Sequence, residues 1–133
     1  LPIYEVSSLS AILLDEDYYR FMKGRCEIVD GIAVLGETGL IPFKAKAFLD
    51  LSQRKAIGEH VDSRDLRKHK NDVLRLAQIL KPGQHVELAP TIRADMSEFC
   101  DKISDDDANM RQLGISASYE DIIELIRDTY RLD

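Results

Sequence analysis

Leu40-Ile41-Pro42-Phe43-Lys44-Ala45-Lys46-Ala47-Phe48-Leu49-Asp50-Leu51 is the stretch that decides the fold. Its apolar residues recur at three- and four-residue intervals, and only a helix gathers such residues on one side. A proline suits a first helical turn, where its missing N–H has no intrahelical partner, so the helix is expected to start at Pro42. It then runs from Phe43 to Ile57 and stops at Gly58. Lys44 lines up with Phe48, Leu51 and Lys55, at the head of the apolar face. Lys46 lines up with Asp50 and Gln53, where an i,i+4 ion pair is available. Burying an unpaired ammonium is costly. Lys44 therefore either snorkels to water or has an anionic partner, a carboxylate of the same chain or a ligand phosphate.

Upstream of this helix, Ile3–Leu14 is mostly apolar and fits an extended segment, followed by a short acidic and aromatic helix over Asp15–Met22. Glu27–Leu35 reads as a hairpin, because Asp30-Gly31 between two aliphatic runs is a strong two-residue turn signal. Downstream, Asp62 or Ser63 caps a second helix that reaches about Leu80 and is ended by Pro82-Gly83. Its core stripe is Leu66, Val73, Leu76, Ala77 and Leu80. Asp65, His69 and Asp72 border that stripe, and Arg64, Arg67, Lys68, Lys70 and Arg75 fill the rest of the surface. The Asp-x3-His-x2-Asp spacing could offer metal donors, but such a pattern more often serves i,i+4 salt bridges with basic neighbours, and no metal is assigned to it. The basic run Arg64–Lys70 can meet phosphate, yet it lacks the interleaved aromatics of a single-strand stacking platform. Thr91 is expected to cap a third helix over Ile92–Ile103, and Asp105–Asp107 to form a turn or a helix N-terminus. Ser118 opens a last helix over Tyr119–Arg131, with Asp121 close to a capping box.

The expected class is α+β and mostly helical: a small antiparallel β element followed by a bundle of four to five helices. Within one compact domain, residues 1–40 are the β-rich part, 41–81 hold the two central helices, and 82–133 form a C-terminal helical region.

The 133 residues carry a formal net charge of −6, with 44% apolar and 32% charged side chains. This composition excludes a disordered chain, a collagen-like repeat and a disulfide scaffold. No apolar run is long enough for a membrane span. The charge is unevenly placed. Residues 41–81 hold ten basic and five acidic side chains, whereas 82–133 hold five basic and twelve acidic. The acidic total rules out a general nucleic-acid coat and gives no sign of a double-stranded DNA binder, while the middle third is basic enough to face a polyanion. Cys26 and Cys100 are far apart, form no CxxC and read as two buried, reduced thiols of a cytoplasmic protein. The Leu-Pro start suggests a fragment whose true start lies upstream.

Two stretches, Leu40–Leu51 and Lys68-His69-Lys70-Asn71-Asp72-Val73-Leu74-Arg75-Leu76, together resemble the downstream half of the AbiEii-type nucleotidyltransferases. These include the toxins of bacterial abortive-infection toxin–antitoxin pairs. The resemblance covers roughly residues 25–80. Lys44 matches the family lysine and Asp72 the family aspartate. The resemblance implies a polymerase-β-like fold in which an upstream Gly-Ser and paired carboxylates hold Mg²⁺ and a nucleoside triphosphate. Lys44 would meet phosphate, Asp72 would orient it or the nucleotide, and Arg64, Lys68 and Lys70 would add phosphate contacts. The reaction is an in-line displacement clamped by metal. It also implies an antitoxin partner or an RNA acceptor. Two departures stand out. No Gly-Ser precedes paired carboxylates (Asp15-Glu16-Asp17 follows no such turn), and Arg75 stands where many relatives carry an acid. Alone, the chain is therefore expected to be inactive. The alternative is a non-catalytic interaction module that binds an acidic partner, RNA or a second copy of itself.

Overall fold

The computed structural model describes residues 11–132. Its architecture is mostly helical α+β. Among the described residues it comprises α1 (Glu16–Arg25), β1 (Cys26–Val29), β2 (Ile32–Leu35), α2 (Glu37–Ala56), α3 (Ser63–Ala77), α4 (Pro90–Ser104) and α5 (Tyr119–Thr129). The expected extended segment falls largely on residues outside this range. Its last part, Ala11–Leu14, closes instead in a helical turn, with Leu14 N–H donating to the Ala11 carbonyl at 3.2 Å. That turn sends Ile12 into the core.

The hairpin forms at the expected place. Val29 pairs with Ile32 and Cys26 with Leu35, so Asp30 and Gly31 are the two turn residues. Both have positive φ, 51° and 77°, the geometry whose twist matches a right-handed ribbon and which Asp-Gly adopts at low cost. The base of the ribbon packs closely on α2, since a Cβ at Gly39 would run into Leu35 Cδ1 and Cγ.

The helix that carries Lys44 begins five residues before Pro42, at Glu37, and the proline lies inside it. An interior proline normally costs about 3 kcal/mol, because it removes an N–H and crowds the carbonyl four residues back. Here that carbonyl belongs to Thr38, and the buried Tyr130 hydroxyl donates to it at 2.7 Å. The Thr38 hydroxyl accepts from Arg25 Nη2 at 2.6 Å. A hydrogen bond from a residue 92 positions away thus satisfies what the proline leaves open.

α2 is the central helix. It packs most extensively on α3 and α4 and also meets α1, while α5 lies against α3 and α4. The core joins Ile41, Phe43 and Leu49 of α2, Val73 and Leu74 of α3, Ile92, Met96, Phe99 and Ile103 of α4, and Ile122 and Ile126 of α5. Each such side chain contributes roughly 1.5–3 kcal/mol by leaving water. In α3 the expected stripe is displaced: Val73, Ala77 and Leu80 are buried, Leu66 and Leu76 only half-buried, and Leu74 and His69 lie inside. α4 starts at Pro90 rather than after a Thr91 cap. Proline supplies a ready first turn, which frees the Thr91 hydroxyl to donate to Asp17 Oδ2 of α1 at 2.5 Å. Asp62 and Ser118 cap α3 and α5 as expected. Of the cysteines, Cys100 is buried but Cys26 only half so. Burial pushes the Cys100 thiol up to about 11, which keeps it protonated.

Tyr130→Phe is expected to cost about 1–3 kcal/mol in urea unfolding, by leaving the buried Thr38 carbonyl unsatisfied. In a Pro42→Ala background the cost should shrink, because residue 42 regains an N–H for that carbonyl. An equal cost in both backgrounds would refute the coupling.

Candidate functional site

Asp72 is the hub of a charged cluster between α2 and α3. Lys44 Nζ approaches its Oδ2 at 3.2 Å, Lys68 Nζ the same oxygen at 3.9 Å, and Arg75 Nη1 its Oδ1 at 3.7 Å. Helix geometry accounts for two of these partners, which stand four residues before and three after Asp72 on α3. The third comes from α2, because α2 and α3 pack along their length. Three cationic side chains thus gather about the Asp72 carboxylate. The surroundings of His69 reflect it: burial first, then the Lys44 and Lys68 ammonium groups, hold the imidazole below its usual value.

Lys44 and Asp72 are thus brought together, and Lys68 joins them. Two other residues expected to contact phosphate lie elsewhere. Arg64 is exposed at the start of α3 and holds its own cap, with Nη2 on Asp62 Oδ2 at 2.9 Å. Lys70 points inward, its side chain only 7% exposed. Its ammonium donates to Asp106 Oδ2 at 2.6 Å and to the Asp107 carbonyl at 2.8 Å. It also lies 5.7 Å from the centre of the Tyr119 ring. This lysine clamps the acidic turn after α4 onto α3.

Lys46 differs from Lys44 less in burial than the face assignment implies, for both are half-buried. What differs is the partner. Lys46 reaches Asp50 at 3.8 Å, the i,i+4 pair expected, and Asp95 of α4 at 3.4 Å. Asp95 also accepts the Tyr18 hydroxyl at 2.8 Å, so Lys46 belongs to a network that joins α1, α2 and α4.

A cavity of about 500 Å³ opens on another side of α3, between Phe48 and Leu66 below and Arg67, Asn71, Asn109 and Gln112 at the rim. The sequence does not disclose it, since its lining joins α2, α3 and the loop after α4, which no local pattern brings together.

Among the described residues, no group of side chains fits the Mg²⁺ that the AbiEii resemblance implies. Among the described residues no three His, Cys, Asp or Glu side chains gather as metal donors. Asp72, the acid nearest the cluster's centre, is already surrounded by cations that would repel a divalent ion. No helix of the described residues is long and apolar enough to cross a membrane. Comparison with protein-family models, with curated proteins and with solved structures finds no match for this chain.

The Lys70 contact sets a pH dependence. Its hydrogen bond holds the Asp106 carboxyl below the ordinary 3.8. A group depressed in the folded state contributes stability above its unfolded value and loses that contribution as pH falls through its folded value. Acid unfolding of Asp106→Asn is therefore expected to show a shallower loss of stability below pH 3.8 than the parent chain. An unchanged slope would refute the assignment.

Proposed function

We infer that the Lys44–Asp72 cluster is one wall of a phosphate-facing cleft, and that the chain is the C-terminal part of an AbiEii-type nucleotidyltransferase-like protein. One observation carries this reading. The two residues that match the family motifs lie on different helices, yet their charged groups stand 3.2 Å apart. Asp72 holds the Lys44 ammonium in place, and Lys68 and Arg75 add charge on the same side. Cationic side chains held close together suit the phosphates of a nucleoside triphosphate, which spread negative charge over several oxygens. The Gly-Ser turn and paired carboxylates that would hold Mg²⁺ are not among these residues. The chain alone therefore binds the anion but does not transfer a nucleotide. In the complete protein, an antitoxin or an RNA acceptor would meet this wall in the cytoplasm.

The cluster separates two lysines that composition alone treats as equals. Lys44→Ala leaves Asp72 with Lys68 and Arg75, so the fold should survive while affinity for a nucleoside triphosphate falls about tenfold, the value of one charged hydrogen bond. Lys46→Ala breaks the Asp50–Asp95 network instead, lowering stability and sparing affinity. Titration of both variants with a fluorescent nucleotide at low salt, beside urea unfolding, checks this. Equal losses of affinity would sink the reading.

The alternative, an interaction module, is favoured by the hairpin. Ile28 is 72% and Ile32 66% exposed, Val29 and Val34 are also exposed, and Glu27 is the one charge on its strands. A ribbon with apolar faces and little charge on its edges is suited to pair with a second copy. Light scattering on a size-exclusion column should then show a dimer that Ile32→Lys converts to monomer. A strict monomer at high concentration would count against this reading.

A further inference from the structure

Residues 82–133 are the most acidic third of the chain, yet three of their five basic side chains meet in one place. Arg93, Arg127 and Arg131, together with His85, Asp128 and Leu132, line an open cleft of about 570 Å³. The cleft is built from three segments. The linker before α4 is strapped to the end of α5 by Val86 N–H donating to the Thr129 carbonyl at 2.7 Å. His85 Nδ1 lies 3.1 Å from the Asp128 carbonyl.

Part of this arrangement has a local explanation. Cations at the C-terminal end of a helix offset its dipole, and Arg127, Arg131 and His85 all stand at the end of α5. Two features run against local preference. Arg93 makes the first intrahelical N–H bond of α4, to the Ala89 carbonyl at 2.9 Å, and so lies at that helix's positive end, where a cation is disfavoured. Arg131 has φ +54° just past the C-cap of α5. Leu132 N–H closes back on the Arg127 carbonyl there at 2.8 Å, a helix ending that glycine normally provides. A disfavoured helix position and a disfavoured backbone conformation thus deliver two guanidinium groups to the same cleft. Asp101 holds Arg127 at 2.9 Å, whereas Arg93 and Arg131 form no ion pair among the described residues.

We propose that this cleft binds the terminal phosphate of a phosphomonoester, at a site that shares no residue with the Lys44–Asp72 cluster. Guanidinium groups match phosphate in shape and charge. The lining contains no aromatic side chain besides His85 and no carboxamide to read a base, so the phosphate itself is what the site recognises. A free nucleotide and the 5′ end of an RNA strand both carry that group.

The test titrates the full chain by calorimetry at low ionic strength with inorganic phosphate, AMP, and short RNA oligonucleotides bearing a 5′-phosphate or a 5′-hydroxyl. Phosphate and AMP should bind saturably, and the 5′-phosphorylated RNA more tightly than its 5′-hydroxyl counterpart. Arg93→Gln and Arg131→Gly should each weaken AMP binding about tenfold, while Lys102→Gln, which removes an exposed cation of the same α4 outside the cleft, leaves it unchanged. Arg131→Gly should keep or raise the thermal midpoint, because glycine adopts that backbone freely, so its loss of binding is not a loss of folding. Three results would overturn the proposal: no saturable phosphate binding, full binding in both arginine variants, or equal affinity for the two RNAs.

Discussion

The carbonyl oxygen of Thr38 is where this fold is tied together. Pro42 withholds the N–H that an uninterrupted helix would give it, and burial withholds water. The Tyr130 hydroxyl supplies the missing donor, and Arg25 holds the side chain of the same threonine. The hairpin base, the central helix and the segment after α5 therefore converge on one residue. Without that donor the Thr38 carbonyl would be left buried and unsatisfied beside the proline.

Charge is distributed by the same logic of long-range partners. The excess cation of residues 41–81 is partly balanced by acids of the following segment: Lys46 by Asp95 and Lys70 by Asp106. Each of these pairs also fixes one element on another, α2 on α4 and α3 on the turn after α4. Among the cations that remain turned outward, Arg64, Arg67 and Arg75 share α3 with Lys68 beside them, while Arg54, Lys55 and Lys81 are exposed elsewhere. Part of a segment that is basic on paper thus becomes, in the fold, two structural clamps.

Local chemistry was readable from the sequence, and distant pairing was not. Asp30-Gly31, Asp62 and Ser118 act within three residues of themselves, so the hairpin and two helix starts could be placed from sequence. Pro42 and Thr91 misled for a shared reason. Whether a proline opens a helix or sits inside it depends on what meets the freed carbonyl, here 92 residues away. Whether a threonine caps depends on whether a neighbouring proline takes the first turn. At the candidate site, periodicity left Lys44 either to snorkel or to meet an anion, and the resemblance pointed to Asp72. Lys70 was read as a surface cation because its partner, 36 positions on, leaves no mark in its own helix. The arginine cleft lay beyond sequence reading altogether, since three segments compose it.

The bond between Tyr130 and Thr38 also bears on how the chain is made. A ribosome adds roughly 5–20 residues each second. The 92 positions between the two groups then correspond to roughly 5–20 s during which the nascent central helix has its proline but not its donor. Throughout that interval the apolar surface destined for α4 and α5 is open to other chains. The hydroxyl that satisfies this carbonyl is thus made well after the helix whose proline requires it.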